Sequence, residues 1–314
     1  MMKVGCVGIL VADAIVSPVG AYPAKGSLDR VDSVTLHNGG NAMTAAVNLS
    51  KMGVSSAIIG KVGSDMFGDF LRSRLASSGV DTRGLATDFE VQTSVSVVLN
   101  SEDGERSFLH CVGTNGTFSV KDVDWSVVEE CDLIFVTGTY LLDTFDGEET
   151  VEFLKKCKEM GKTTFLDVCW DAKGRWGEVL NPAMPYLDFL MPSIDEAVRI
   201  AGESEPDRIA DVFMARGAKN VVIKLGKRGS YLRLAGEASG REFPAVGKNI
   251  RAVDTTGAGD SFCSGFLAAY SRGESPEKCI EIANATGALC VTAKGATTGI
   301  RTYDETVRFL EENR

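Results

Sequence analysis

The chain has 314 residues, with 33 Lys or Arg against 43 Asp or Glu and a formal charge of −10; 44% of residues are hydrophobic and 24% charged. That length corresponds to roughly two domains of ~150 residues, or to one large α/β unit, and the composition is that of a globular chain, not a disordered one. An acidic chain without a long Lys/Arg run lacks the electrostatic footprint for nucleic acid or an anionic membrane, and with only His37 and His110, acid–base work falls to a carboxylate, a Lys or a Cys.

Apolar runs rich in Val and Ile alternate with amphipathic stretches. Val4–Leu10 reads as the first buried strand; the longer stretch to Val16 is broken by Asp13 and does not read as a signal peptide. Asn41–Lys51 is the first helix, Ser56–Gly60 a strand and Met66–Ser78 a helix. Strands at Leu133–Val136, Thr163–Val168, Phe189–Pro192 and Val221–Lys224 then alternate with helices at Asp146–Glu159, Asp195–Ala201 and Asp207–Arg216. Such alternation predicts a mostly parallel sheet covered on both faces. Strand-like pieces at Ser230–Leu234 and Arg241–Val246 precede two helices, Ala258–Ser271 and Pro276–Ala293, the second opened by Ser275 and Pro276. Two segments break the pattern: the polar, turn-rich 13–38, and 92–115, where Ser94–Leu99 and Arg106–Cys111 flank an Asp103-Gly104 turn. Together they suggest a small inserted β-sheet. No run approaches the ~18 apolar residues of a membrane helix. The eight cysteines form no C-x-x-C pair, which excludes a zinc ribbon or thioredoxin motif and fits buried thiols in a reducing cytoplasm.

The sharpest motif is Asp254-Thr255-Thr256-Gly257-Ala258-Gly259-Asp260 before an apolar helix. Gly257, Ala258 and Gly259 let backbone N–H groups approach an anion at a helix N-terminus, which is a phosphate site. A carboxylate there repels phosphate unless it serves the hydroxyl that attacks it, and Asp260 is placed for that. Gly53–Val62 lacks the spacing and the final Ser/Thr of a Walker loop, and no G-x-G-x-x-G follows the first strand.

The heptapeptide resembles the C-terminal signature of the ribokinase, or PfkB, family of carbohydrate kinases. His37-Asn38-Gly39-Gly40-Asn41-Ala42-Met43-Thr44 resembles its N-terminal signature. The resemblance runs over nearly the whole chain. It implies a ribokinase-like three-layer α/β/α sandwich, with a body of residues 1–12, 39–91 and 116–314 and a β-sheet lid of 13–38 and 92–115. It also implies transfer of the γ-phosphate of Mg²⁺·ATP to a sugar hydroxymethyl group.

Residue by residue, Asp260 matches the family's base and Gly257, Ala258 and Gly259 its anion hole. Asp13, Gly39, Gly40, Asn41 and Thr44 match sugar-binding positions; Asn is frequent at the position of Thr44 in ribose-phosphorylating members. Asp167 and Arg175 resemble the D-x-N-x-R stretch that orders the site, with a plain ion pair between them as the structural alternative. Ser193, Lys224, Gly226, Gly229 and Asn284 fall at nucleotide positions, with Lys224 where Thr is frequent. Glu196 keeps the acidic member of the Mg²⁺-linked N-x-x-E motif, and Ser193 replaces its Asn. Asp254, Thr256, Cys290, Ala293 and Gly295 match the ligands of a monovalent cation, K⁺ in some members; Gly299 has no side chain for the last hydroxyl ligand, which leaves Thr298. Arg106, in the hairpin, is suited to a sugar acid or to guarding a sheet edge. Lid segments poor in Lys and Arg favour an unphosphorylated sugar, and exposed lid edges favour a homodimer. Two alternatives stay open: a nucleoside kinase, for which the lid segments offer only Tyr22 and Phe108 as aromatic partners of a base, and a non-catalytic sugar-binding relative.

Overall fold

The computed structural model describes residues 1–101, 106–247 and 250–313, and of Arg106 only the backbone. The turn expected around Asp103-Gly104 and the side-chain role considered for Arg106 therefore lie outside the described residues. The chain opens with β1 (Val4–Gly8), β2 (Val11–Ser17), β3 (Ser33–Gly39), α1 (Asn41–Lys51), β4 (Ser56–Gly63), α2 (Met66–Ser77), β5 (Leu85–Asp88), β6 (Val95–Asn100) and β7 (Arg106–Cys111). It continues with α3 (Trp125–Glu130), β8 (Leu133–Thr139), α4 (Glu148–Glu159), β9 (Thr163–Val168), α5 (Trp176–Leu180), β10 (Phe189–Leu190), α6 (Ile194–Ala201) and α7 (Pro206–Ala215). The last third holds β11 (Asn220–Lys224), β12 (Ser230–Arg233), β13 (Arg241–Phe243), α8 (Ala258–Tyr270), α9 (Pro276–Cys290) and α10 (Tyr303–Glu312).

Nine strands form one sheet in the order β13-β12-β11-β10-β9-β8-β1-β4-β5. It is parallel from β11 to β5, while β12 and β13 add antiparallel. Alternate residues of each strand enter opposite cores, as the period of two demands. Cys6, Ile58, Phe135, Phe165 and Val222 pack with α1, α2, α8, α9 and α10, whereas Val7, Ile59, Ile134, Leu166 and Ile223 pack with α3, α4, α6 and α7. The result is the three-layer sandwich that strand–helix alternation predicts. A second sheet, ordered β3-β2-β6-β7, stands apart from the first. Its strands take up much of 13–38 and 92–115, and begin at Val11 and end at Gly39, slightly beyond the expected segment.

The expected single strand Val4–Leu10 is in fact β1 of the large sheet, which stops at Gly8, followed by the approach to β2 of the small one. Gly8 has φ 144°, and a Cβ there would lie 1.8 Å from the Thr137 carbonyl oxygen. Apolar residues on both sides of this break hide it from periodicity. Phe189–Pro192 shortens to a two-residue strand because Pro192 brings no N–H to a ladder, and the helix begun at Pro276 ends at Cys290, before Ala293. The strand Leu85–Asp88 and the helices Trp125–Glu130 and Tyr303–Glu312 lie outside the elements expected from sequence.

Where the chain passes between the sheets, the buried Asn115 side chain substitutes for a strand. Its Oδ1 accepts from the Leu10 N–H at 3.1 Å and its Nδ2 donates to the Leu10 carbonyl at 2.9 Å. Removing that amide leaves two buried backbone groups unpaired, each at ~1–3 kcal/mol. Asn115→Ala is therefore expected to lower unfolding stability by about 2–6 kcal/mol, read as a shift of the urea midpoint with unchanged slope.

Candidate active site

Helix α8 carries the site, and aromatic packing fixes where it points. Phe165 and Phe189 stack with ring centroids 5.0 Å apart, and Phe266 and Tyr270 of α8 lie against both. The N-terminus of α8 thereby reaches the C-terminal ends of β9 and β11, the end of a parallel sheet where ligands bind. Gly257 caps it with φ 73°, and a Cβ at that position would meet Ala296 at 2.2 Å. Asp260, the third helical residue, is half-buried and accepts from Asn41 Nδ2 at 2.7 Å. Burial pushes its carboxyl above the ordinary range; the Asn41 donor and Lys224 pull it down, and Glu196 opposes them. Cys169 Sγ donates to Asn41 Oδ1 at 3.4 Å, so the amide is held at both ends. Asn41, expected among the sugar contacts, here grips Asp260.

Lys224 ends β11, and Asp167 lies in β9, two strands away. Because β10 is only two residues long, the two side chains meet beyond its end: Lys224 Nζ donates to both Asp167 oxygens at 2.6 Å. Burial alone would lower the ammonium's pKa, but the Asp167 carboxylate holds it well above its ordinary value. The same Nζ would lie 3.5 Å from a Cβ on Gly259, so this charge faces the first turn of α8. Ser193 and Glu196 form a capping box at the start of α6: the Ser193 N–H donates to Glu196 Oε2 at 2.8 Å, and the Glu196 N–H to Ser193 Oγ at 3.4 Å. Glu196 is half-buried, and burial and Asp167 push its carboxyl up.

Arg175 does not pair with Asp167. It caps α5, with Nη2 3.4 Å from Asp171, 3.7 Å from Asp146 and 3.1 Å from the Tyr140 carbonyl. Asp171 also accepts from the Arg175 and Trp176 N–H groups, which draws the guanidinium toward it, while Asp167 is committed to Lys224.

On the small sheet, Asp13 is half-buried, and burial pushes its carboxyl up to about 6 against the opposing pull of the Ser96 hydroxyl. The double glycine answers close approach. A Cβ on Gly39 would lie 2.0 Å from Asp13 Oδ2, and one on Gly40 (φ 88°) would lie 2.4 Å from the Ile9 carbonyl oxygen. Thr44 is buried in the first turns of α1.

Gly226 and Gly229 lie in the turn between β11 and β12. Asn284, on α9, donates to the Pro244 carbonyl at 3.4 Å and lines a cavity of about 720 Å³ with Phe243, Val246 and Ile250. Neither this cavity nor the glycine turn of α8 conflicts with a nucleotide: one offers apolar walls and an amide, the other helix-start amides beside an ammonium. Among the described residues no three carboxylate, His or Cys side chains converge to hold a metal unaided; Mg²⁺ commonly takes one or two carboxylates and the substrate's phosphates, which Glu196 suits. The residues expected to hold a monovalent cation lie together, joined to one another by hydrogen bonds between the loop before α8 and the end of α9. Asp254 accepts from Thr256 N–H and Oγ1–H and from Gly295 N–H. Cys290 Sγ donates to the Thr256 carbonyl, the Ala293 N–H donates to the Cys290 carbonyl, and a Cβ on Gly299 would strike the Leu289 carbonyl at 2.3 Å.

Sequence reasoning passed over Cys169, Ser96, His110 and Asn115. Only the last carried a signal, as a polar residue at the edge of an inserted segment. No helix among the described residues is long and apolar enough to cross a membrane.

The chain matches the pfkB family carbohydrate kinase profile over residues 1–302. An aminoimidazole riboside kinase of Salmonella typhimurium is 30% identical over 287 residues, 88% of each chain. A ribokinase of Haemophilus influenzae is 27% identical over 97% of each. The ribokinase of Thermotoga maritima superposes with a TM-score of 0.84 over 99% of this chain and 100% of its own, at 24% identity. Arabidopsis thaliana ribokinase, solved with ribose and ATP, gives 0.85 over 99% of each, also at 24% identity. Signatures, fold and relatives agree: the chain is a member of the pfkB family of carbohydrate kinases.

Proposed function

We propose that this enzyme transfers the γ-phosphate of ATP to a hydroxymethyl group of an unphosphorylated monosaccharide, with Asp260 as general base. The observation that carries this reading is the Asn41–Asp260 hydrogen bond of 2.7 Å, which aims a carboxylate at the mouth of the Gly257–Gly259 turn. Asp260 takes the hydroxyl proton as the sugar oxygen bonds to the γ-phosphorus. The bond from that phosphorus to the β,γ-bridging oxygen breaks, and ADP leaves with the electron pair. Fixed N–H dipoles at the start of α8, joined by the Lys224 ammonium, stabilise the charge on the transferred phosphoryl. Asp13 accepts from vicinal sugar hydroxyls. Residues 13–38 and 92–115 act as a lid on the body formed by the rest, and closure keeps water from taking the phosphoryl group. Mg²⁺, when bound, neutralises phosphate charge, and Glu196 is the carboxylate suited to hold it. No step is assigned to K⁺. Eight free cysteines, six of them buried, suit a reducing cytoplasm.

The deciding experiment measures ADP release with a panel that includes D-ribose and D-fructose. Sugar-dependent turnover is expected, and Asp260→Asn is expected to lower kcat by about 10²–10⁴-fold. Equal, sugar-independent hydrolysis by both proteins would overturn the reading. A riboside acceptor is the second reading. The Salmonella relative is named for one, and Phe108 shares the Asp13 face of the small sheet, in register with Val98 and Ile15, where a base would stack. Adding an imidazole riboside to the panel separates the two.

Asp13 is charged above about pH 6 and protonated below it. The KM for the sugar is therefore expected to rise as pH falls through that value, and Asp13→Asn is expected to flatten the dependence while raising KM throughout.

A homodimer through the small sheet is part of the proposal, supported by the exposed Val34, Leu36 and Leu109 on the face away from Asp13. Light scattering is expected to give twice the chain mass, and Leu36→Asp to give monomers.

A further inference from the structure

Asn41 opens α1, and its side chain stands between groups from two other parts of the fold. Its Nδ2 donates to Asp260 Oδ1 on α8 at 2.7 Å, and its Oδ1 accepts from the Cys169 thiol at 3.4 Å. Cys169 directly follows β9, and its own N–H donates to the Thr139 carbonyl at 3.0 Å, so the thiol hangs from backbone pinned to the end of β8. Three segments far apart in sequence thus meet in one chain of hydrogen bonds: thiol to amide oxygen, amide N–H to carboxyl.

An asparagine amide has two ends of similar shape and opposite polarity, and its terminal torsion is broad and roughly two-fold. One orientation turns N–H groups to a carboxyl, and the other turns a carbonyl oxygen to it. The first favours the ionised carboxyl, and the second favours the protonated one. A donor on the far side selects the first. Cys169 is that donor: it is held as a thiol, since burial and then Asp260, Asp167 and Glu196 push it well above its ordinary range, with Lys224 opposing. Donation to Oδ1 also polarises the amide and strengthens the bond its N–H makes to Asp260.

We propose that Cys169 is a positioning residue for Asp260, acting through Asn41: the thiol fixes which end of the amide meets the carboxyl. It touches neither reacting atom, and it works only while its hydrogen is in place. The effect on catalysis rests on the reading of Asp260 as the base; the orientation of the amide does not.

The first test follows kcat against pH at saturating ATP and sugar, where the acid limb reports ionisation of the base in the bound complex. The other titratable groups about Asp260 are Lys224 of β11, Asp167 of β9, Glu196 of α6, Cys263 of α8 and Cys290 of α9, and all stay in place. Weakening a donor to the ionised form raises a carboxyl's pKa. Cys169→Ala is therefore expected to move the limb up by about half a unit to one unit, with turnover lost most at low pH. Cys169→Ser, which keeps a donor, is expected to return the limb toward its wild-type position. A thiol that only fills space would lower kcat alike at every pH; an unmoved limb in Cys169→Ala overturns the proposal, and so does a Cys169→Ser limb displaced as far. The second test needs no turnover. The Cys169 S–H stretch, isolated as the infrared difference between wild type and Cys169→Ala, is expected below that of a free thiol and to rise in Asn41→Ala. A wild-type stretch at the free-thiol frequency, or one that Asn41→Ala leaves in place, overturns the thiol–amide contact. Should Asp260→Asn leave kcat unchanged, the base reading falls, while the infrared result still decides the contact.

Discussion

One ammonium among three carboxylates is the constraint on which this site depends. Asp167, Asp260 and Glu196 crowd the end of the large sheet, and the charge that answers them is Lys224, bonded to both oxygens of Asp167. Buried pairs of this kind add little stability over a well-packed apolar substitute, yet losing one partner is costly because the other is left charged and alone. Their value here is geometric. With Asp167 bonded through both oxygens, Lys224 is held against the first turn of α8 at Gly259, the turn that also carries Asp260.

The rest of the architecture keeps that arrangement from relaxing. The stacked Phe165 and Phe189 give α8 a flat aromatic seat, and a Cβ on Gly265 would strike Thr286 at 2.3 Å, a measure of how closely α9 lies behind it. Asn48 of α1 donates to Ser261 at 3.1 Å, about two turns along α1 from the Asn41 contact to Asp260. Helices α1 and α8 are thus stitched together at two levels, and the proposed base moves only if both move.

Much of this was legible in the sequence, for identifiable reasons. Asn41–Lys51 and Thr163–Val168 have the bounds expected, because their periodicity is strong and their ends carry turn signals. The parallel sheet, the inserted small sheet and the glycine turn at the head of α8 followed from local pattern. What was not legible depends on distance in space. Nothing in a linear reading joins Lys224 to Asp167 rather than Arg175 to Asp167, since the choice turns on β10 being two residues long. Ser193-Ile194-Asp195-Glu196 reads equally as a capping box and as a departure from a metal-linked motif, and only the mutual hydrogen bonds identify the first.

The Asn115 side chain has a meaning beyond stability. Its amide presents to Leu10 the same donor and acceptor that a neighbouring backbone would. The gap between two sheets is normally where a hydrogen-bond ladder frays and solvent seeps in. Here the ladder continues through one side chain, which ties the segment following β7 to the point where the chain leaves the large sheet for the small one. One amide thus holds the junction of the two sheets by the same pair of bonds a strand would supply, without a strand being spent on it.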